Sequence, residues 1–279
     1  MTPEILRAEV ERLAALPSPP REESLPVLEA LLDALERGEV RAAEPRPGKG
    51  WTVHAWVKRG ILLGFRVGVN GALHVPPVFH FRDRDTFPTR DPSVGADVRV
   101  VPGGTTVRRG AFLGQGVVVM PPAFVNVGAF VGEKTMVDSH ALVGSCAQIG
   151  SRVHLSAGTQ IGGVLEPVGA LPVIIEDDVL VGGGCGVYEG TLVRAGAVLG
   201  AGVVLTRAVT VVDLVRQSVH RAVRGMPLVI PERAVVVPGA RPASGEFARA
   251  HGVFLQAPVI VKYREESSDP ALALEEALR

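Results

Sequence analysis

The sequence predicts an all-β-dominated fold: a parallel β-helix of hexapeptide repeats, with helices before it and a small β/α extension after it. An aliphatic residue recurs at every sixth position over much of the chain, which is the sequence signature of a β-helix. The 33 glycines and 22 prolines among 279 residues indicate frequent turns, while aromatic residues make up only 5%. Because 47% of the residues are apolar, a disordered chain is excluded.

The six-residue period runs in two stretches on either side of a break at 164–173. Ten consecutive positions follow it before the break, and seven follow it afterwards in a shifted phase. The fourth residue after each of these positions is usually small or β-branched. The seventeen aliphatic positions are Val107, Leu113, Val119, Val125, Val131, Val137, Val143, Ile149, Leu155, Ile161, Ile175, Val181, Val187, Val193, Leu199, Leu205 and Val211.

The period has a simple physical explanation. Each hexad forms a short strand and a corner, and three hexads close a triangular coil of about 18 residues. The aliphatic side chain points inward, and the fourth residue after it is small because the interior narrows there. Glycine suits the corners because it adopts backbone conformations that strain other residues. We therefore expect a stack of coils with an interior of small aliphatic side chains.

Helices are predicted on the N-terminal side of the repeats. Thr2 can cap a first helix with Pro3 in its first turn. A second stripe of leucines stops at Gly38, which is a typical helix end. The apolar segment 51–67 predicts a third helix that runs into a strand.

A charged loop at 82–97, rich in residues that favour turns, separates the helices from the repeats. We therefore predict a mainly helical domain at 1–97, the β-helix at 98–211 and a C-terminal part at 212–279. The last part is expected to hold strands and a terminal helix capped by Asp269.

Composition excludes several functional classes. The 29 basic and 29 acidic residues cancel, which argues against a surface built for nucleic acid or anionic lipid. Segment 110–132 is uncharged, but its Pro121-Pro122 pair suits a bilayer helix poorly, so no membrane association is expected. The two cysteines, Cys146 and Cys185, cannot form a disulfide framework. Because the first residues also lack an apolar signal core, we expect a cytoplasmic protein.

Candidate catalytic residues lie where a hexad departs from the repeat pattern. Asp138 occupies a corner position where glycine recurs, and Glu189 follows an aliphatic position in the second stretch. Either carboxylate can also be an ordinary solvent-facing corner residue. The acidic run at 176–178 is interpreted as a solvated edge.

Histidines require a separate interpretation because three aligned imidazoles would make a zinc site. His140 and His154 fall three and five places after their aliphatic residues, so they are out of register and no metal is expected. Metal analysis would test the remaining alternative, a zinc-dependent hydratase. Both cysteines are interpreted as packing residues, with Cys185 in the small inward position.

Several segments together resemble the tetrahydrodipicolinate N-succinyltransferases, a family of hexapeptide-repeat transferases. The most specific is TMVDSHALVGSCAQIG at 135–150, followed by HLS at 154–156 and GGVLEP at 162–167. WVKRGILLGFRV at 56–67 and APVIVKYRE at 257–265 extend the resemblance outward. It covers most of residues 25–265.

The resemblance implies left-handed β-helices assembled as a homotrimer, with active sites between subunits. The implied reaction transfers succinyl from succinyl-CoA to tetrahydrodipicolinate in diaminopimelate and lysine biosynthesis, with CoA as cosubstrate and no permanently bound cofactor. Matched by motif, Asp138 and Glu189 take the family's functional acidic positions, and Arg99 takes that of a substrate-contacting arginine. A carboxylate can receive the amine proton, and an arginine can grip a substrate carboxylate.

The chain also departs from the family pattern. It has GGGCG at 182–186, where relatives carry a charged stretch, and Ser139-His140 where an aromatic residue is usual. Some segments resemble N-acetyltransferases that act on the same acceptor more than they resemble the N-succinyltransferases. Acetyl-CoA is therefore the alternative donor. A non-catalytic trimeric scaffold is the alternative of another class.

Two further features are assigned from their place in the expected groove. CoA is predicted to contact Gly184, Ala201 and Lys262. The break at 164–173 is interpreted either as a lid over the groove or as a tolerated surface insertion.

Overall fold

The computed structural model shows a β-helix with helices packed along one of its edges. It describes residues 1–46, 48, 50–75, 79–91, 97–223, 225–265 and 270, with backbone alone over 70–75 and 79–82. None of the helices in these ranges combines the length and apolar character needed to cross a bilayer.

The N-terminal part contains three helices and two hairpins. Its elements are α1 (Pro3–Ala14), α2 (Arg21–Glu36), β1 (Ala43–Arg46), β2 (Gly50–Val53), α3 (Ala55–Val67), β3 (Asn70–Val75) and β4 (Phe79–Arg84). The Thr2 side chain accepts a hydrogen bond from the Ile5 N–H, which confirms the predicted cap of α1. The prediction that the third helix begins at 51 was wrong. Residues 50–53 instead pair antiparallel with β1, so that helix starts at Ala55.

Seventeen short strands follow and form the coil. They are β5 (Arg99–Val100), β6 (Thr106–Val107), β7 (Phe112–Leu113), β8 (Val118–Val119), β9 (Phe124–Val125), β10 (Phe130–Val131), β11 (Met136–Val137), β12 (Leu142–Val143), β13 (Gln148–Ile149), β14 (His154–Leu155), β15 (Gln160–Ile161), β16 (Ile174–Ile175), β17 (Leu180–Val181), β18 (Gly186–Val187), β19 (Thr191–Val193), β20 (Val198–Leu199) and β21 (Val204–Leu205).

These strands stack into three parallel sheets, which are the faces of a left-handed triangular prism. Face A contains β5, β8, β11, β14, β17 and β20; face B contains β6, β9, β12, β15, β18 and β21; face C contains β7, β10, β13, β16 and β19. The chain visits A, B and C in turn, so corners lie along an AB edge, a BC edge and a CA edge. We call one such circuit a rung and number the rungs from β5.

The interior confirms the hexapeptide interpretation. Each of the seventeen periodic aliphatic residues is at most 4% exposed, and the small residues four places later are also buried. Strand pairing shows why the period is six: Val131 lies opposite Ile149, eighteen residues later, so three hexads complete one rung. The inserted segment lengthens one rung, because Ile149 lies opposite Ile175.

The coil runs past the boundary predicted at 211. Val211 begins a strand that pairs outside the six-residue pattern, and two later strands resume faces C and A. The remaining elements are β22 (Val211–Asp213), β23 (Ser218–His220), β24 (Leu228–Ile230), β25 (Ala234–Val237), β26 (Ala240–Pro242), α4 (Glu246–Ala250), β27 (Phe254–Gln256) and β28 (Val259–Tyr263). The helix predicted over 269–279 lies outside the described residues apart from position 270, and the three-domain division stays a prediction.

The helical part packs along the BC edge of the coil. Val127 and Cys146, both at BC corners, belong to the same buried cluster as the leucines of α2. A Cβ atom at Gly128 would lie 2.7 Å from the Ile61 side chain of α3, so the absence of a side chain at this corner lets the helix pack closely. Face C is partly covered as well, because the Arg41 guanidinium lies 3.6 Å above the Phe130 ring. The AB edge remains uncovered by these helices.

Candidate active site

Three of the predicted site residues share the AB edge. Asp138 lies at the corner after β11 on the third rung, Gly184 on the fifth and Ala201 on the sixth. At about 4.8 Å per rung, Ala201 lies roughly 14 Å above Asp138. The structure therefore brings one of the two acidic candidates, Asp138, and two of the three CoA candidates onto one edge.

The AB edge above Asp138 is smooth. Its corners carry Ala157 and Gly158 on the fourth rung and a run of glycines on the fifth. Gly184 has φ +67°, and a side chain added there would meet no atom within 4 Å. The space outside this edge is open, so an extended ligand chain has room to lie along it.

Asp138 has a histidine neighbour that the sequence did not predict. Its Oδ1 accepts a hydrogen bond from the Ser139 N–H at 2.7 Å. Its Oδ2 lies 3.7 Å from Nε2 of His154, an outward residue of face A on the next rung. The eighteen-residue coil contained this signal, since it places His154 directly above Met136 and hence beside the following corner.

His140, which immediately follows Ser139, is a corner residue. It is exposed and has φ +62°, the backbone conformation that Gly158 and Gly184 adopt on the rungs above. Its carbonyl oxygen accepts a hydrogen bond from the Gln160 side chain. In the described part of the chain, no group of three or more His, Cys, Asp or Glu side chains is arranged to hold a metal ion.

Arg99 and Lys262 lie at opposite ends of the sheet that includes face A. Arg99 is exposed on the first rung, two rungs below Asp138, in the outward column that also holds Met136 and His154. Lys262 lies opposite Val235, two strands beyond β20. The structure thus places Arg99 on the side of Asp138 away from the glycine-lined stretch, and it does not bring Lys262 to the AB edge.

Glu189 lies on a different edge from Asp138. It is exposed at the BC corner that follows β18, on the fifth rung. Face B and two rungs therefore separate the two carboxylates within one chain. Side chains of this length cannot close that gap, so a single copy does not unite them.

The inserted segment 164–173 leaves the coil at the BC edge, one rung below Glu189. A side chain at Gly162, at the root of the insertion, would lie 3.2 Å from Cα of Tyr188. The segment is anchored to the helices: Lys58 Nζ donates a hydrogen bond to the Ala170 carbonyl at 2.6 Å, and Leu165 packs against the helical core. These contacts show an anchored segment, while its role as a lid stays a prediction.

Burial controls the titration of Lys58 and of both cysteines. Desolvation lowers the pKa of Lys58, which is fully buried in α3. Burial raises the pKa of Cys146 to about 12 and that of Cys185 to about 11. Both thiols are therefore neutral at physiological pH, and their fully buried positions confirm that they are packing residues.

The acidic run at 176–178 is not simply a solvated edge. Glu176 accepts hydrogen bonds from the Trp51 indole at 3.1 Å, from the Arg194 guanidinium at 3.0 Å and from the Ala195 N–H at 3.0 Å. It therefore fastens the hairpin β1–β2 to the coil. Asp178 does pair at the surface, with Arg152 at 2.7 Å.

Comparisons with known proteins identify the family. Profiles described as "Tetrahydrodipicolinate N-succinyltransferase N-terminal" and "Hexapeptide repeat of succinyl-transferase" match residues 7–67 and 172–207. The 2,3,4,5-tetrahydropyridine-2,6-dicarboxylate N-succinyltransferase of Rhodopseudomonas palustris strain BisA53 is 43% identical over 90% of this chain and 89% of its own length. This chain belongs to the tetrahydrodipicolinate N-succinyltransferase family. The Nitrobacter hamburgensis protein with the same name as the Rhodopseudomonas relative is 42% identical over 89% of this chain and 87% of its own.

A solved structure supports the fold of this N-succinyltransferase family member. A Campylobacter jejuni protein, named as a candidate 2,3,4,5-tetrahydropyridine-2-carboxylate N-succinyltransferase, aligns with a TM-score of 0.50 at 15% identity. The alignment covers 90% of this chain and 63% of that one. Membership of the family also makes this chain an enzyme of the acyltransferase class.

Proposed function

We propose that this enzyme transfers the succinyl group of succinyl-CoA to the nitrogen of tetrahydrodipicolinate, a step in diaminopimelate and lysine biosynthesis. The observation that carries the proposal is the 43% identity to a named N-succinyltransferase over nine-tenths of the chain. Such coverage includes the helices, the coil and the C-terminal strands. The functional resemblance is therefore not limited to the repeat, which alone says little about function.

The AB edge supports an acyl-CoA as the cosubstrate. The pantetheine arm of CoA is long and narrow, and the corners from Ala157 to Ala201 offer an open path without bulky side chains. Asp138 lies at the lower end of that path. Backbone N–H groups at such corners are suitable donors for the thioester oxygen as it gains negative charge.

The reaction needs a neutral amine and a place for its proton. The acceptor is a cyclic imine, so one water adds across its C=N bond and opens the ring to a primary amine and a ketone. The amine nitrogen attacks the thioester carbonyl carbon, a C–N bond forms, the C–S bond breaks, and the proton lost by nitrogen finally reaches the CoA sulfur. A carboxylate at the reacting centre stabilises the positive charge that appears during this transfer. We assign that place to Asp138, and we assign to Arg99 the binding of a carboxylate of the acceptor.

Two copies of the chain are required if both acidic residues serve one site. Asp138 and Glu189 lie on different edges, so Glu189 would come from a neighbouring subunit beside the AB edge. A homotrimer satisfies this geometry for three sites at once. Exposed apolar side chains in the excursion after β21 and near the C-terminal hairpin support association: Leu214 is 62% exposed, Met226 58% and Phe254 60%. The cytoplasmic location stays a prediction.

Release of CoA thiol tests the function directly. The purified protein is mixed with succinyl-CoA or acetyl-CoA, with tetrahydrodipicolinate or 2-aminopimelate as acceptor, and with no acceptor as the control. We expect acceptor-dependent release that is faster with succinyl-CoA. Faster release with acetyl-CoA would establish the alternative donor, and no release with either donor would contradict the enzyme assignment.

A further inference from the structure

We propose that His154 receives the proton from the acceptor nitrogen and that Asp138 positions His154. This inference rests on the proposed succinyl transfer and adds a catalytic residue to it. The sequence pattern separated the two residues by sixteen positions, and the coil brings them together.

The geometry sets the two side chains beside each other on adjacent rungs. Asp138 uses Oδ1 for the Ser139 N–H, which leaves Oδ2 free to face the imidazole. The 3.7 Å between Oδ2 and Nε2 exceeds a hydrogen bond by less than 1 Å. Catalytic hydrogen bonds are often this long before substrate binds, and a small side-chain rotation closes the gap.

The burial of the two ring nitrogens differs. Nε2 of His154 is buried and has no hydrogen-bond partner among the described residues, although the side chain as a whole is 43% exposed. Nδ1 is not buried, and it makes no hydrogen bond in the described part of the chain. The ring therefore points one nitrogen at the carboxylate and leaves the other accessible beside the smooth edge, where the proposed substrates meet.

Among the side chains around the His154 imidazole, Asp138 is the charged group that acts on the ring. The outward neighbours of His154 on face A are Met136 below and Leu180 above, and neither is charged. At the preceding CA corner, the Arg152 and Asp178 side chains pair with each other. The other titratable group nearby is His140, which lies at the same AB corner as Asp138 and is exposed.

The arrangement accounts for every proton in the transfer. Neutral His154 directs its Nε2–H towards Asp138, and its Nδ1 takes the amine proton as nitrogen attacks the thioester carbon. The imidazolium so formed is stabilised by the Asp138 carboxylate. When the C–S bond breaks, the same proton passes to the departing CoA sulfur. An imidazole is better matched to this task at neutral pH than a carboxylate, because imidazoles take up protons near pH 6.5 and carboxylates near pH 4.

Steady-state kinetics of three full-length variants test the dyad. They are His154→Gln, Asp138→Asn and His140→Asn; the last is a matched control because asparagine tolerates the left-handed corner. CoA release from succinyl-CoA is measured from pH 5 to 9. We expect His154→Gln to lower kcat roughly 100- to 10,000-fold with little change in either KM, and the control to stay near wild type. A fourth variant combines His154→Gln with Asp138→Asn. It is expected to be no slower than His154→Gln, since the two residues act as a unit.

The pH profile separates this role from a structural one. Wild-type kcat/KM should fall on the acid side with a midpoint of roughly pH 6 to 7. Asp138→Asn should move that midpoint to lower pH, because loss of the negative charge disfavours the imidazolium, and His154→Gln should abolish this limb.

Three results would overturn the dyad: a His154→Gln kcat within threefold of wild type, an unchanged acid limb in that variant, or a wild-type midpoint near pH 4. If His154→Gln fails to fold, the wild-type midpoint and its shift in Asp138→Asn decide the question. An inactive wild-type protein would contradict the proposed function instead.

Discussion

The AB and BC edges are built from the same eighteen-residue coil, yet they have opposite surroundings. On the BC edge, the corner glycine Gly128 is pressed against Ile61 of α3, and Lys58 holds the inserted segment there. On the AB edge, the corner glycine Gly184 has the same left-handed backbone but faces open space. The repeat thus supplies identical corners, and what is packed against them decides whether they serve as structure or as a candidate groove.

The same difference separates the two acidic candidates. Asp138 lies at the foot of the bare edge with His154 beside it, whereas Glu189 lies just above the anchored segment on the covered edge. A site that uses both therefore has to be completed by a second copy. Damage to one edge in one chain should therefore be compensated by an intact edge in another.

Mixed oligomers give the largest expected effect. Asp138→Ala and Glu189→Ala are each expected to lose at least about 100-fold in kcat. When the two variants are co-expressed with different tags and mixed trimers are isolated, one of the three interfaces in each mixed trimer combines two intact edges and should regain activity. CoA release by the isolated oligomers is the measurement. Mixed oligomers as inactive as either parent would contradict a site shared between two chains.

Filling the bare edge should have an intermediate effect. Ala201→Leu places a branched side chain in the path proposed for CoA, so KM for succinyl-CoA is expected to rise about tenfold while kcat changes little. Ala195→Leu, at a corner of the CA edge, is the matched control and should leave KM unchanged. Equal KM values for the two variants would show that the AB edge does not hold CoA.

Loosening the covered edge should have the smallest of the three effects, and that effect is on stability and proteolysis. Lys58→Met removes the hydrogen bond to Ala170 but also relieves the burial of a charge, so unfolding free energy is expected to change by only about 1 kcal/mol. The inserted segment should nevertheless be cut faster in limited proteolysis, followed by mass spectrometry of the fragments. Arg59→Met, at the exposed neighbouring position on α3, is the control. The anchor would be disproved if both variants were cut at the same rate.

Much of the coil was predictable from the sequence because its signal is local and repeated. Seventeen periodic aliphatic residues were expected inside, and all are buried, although Val211 lies in a strand outside the coil pattern. Register arithmetic also contained the approach of His154 to Asp138, since a coil of eighteen residues places position 154 above 136. This approach was not predicted because His140 and His154 were compared only with each other, as metal ligands.

The sequence by itself determined the repeat, the inward positions and the family. The tertiary structure decided which edge is covered, where the inserted segment is held and which carboxylates stay apart. The contacts responsible join Lys58 to Ala170 and Trp51 to Glu176, more than a hundred residues apart in the chain. A six-residue period carries no information on such pairs, because every corner of the repeat offers the same backbone and only packing against a distant element distinguishes one edge from another.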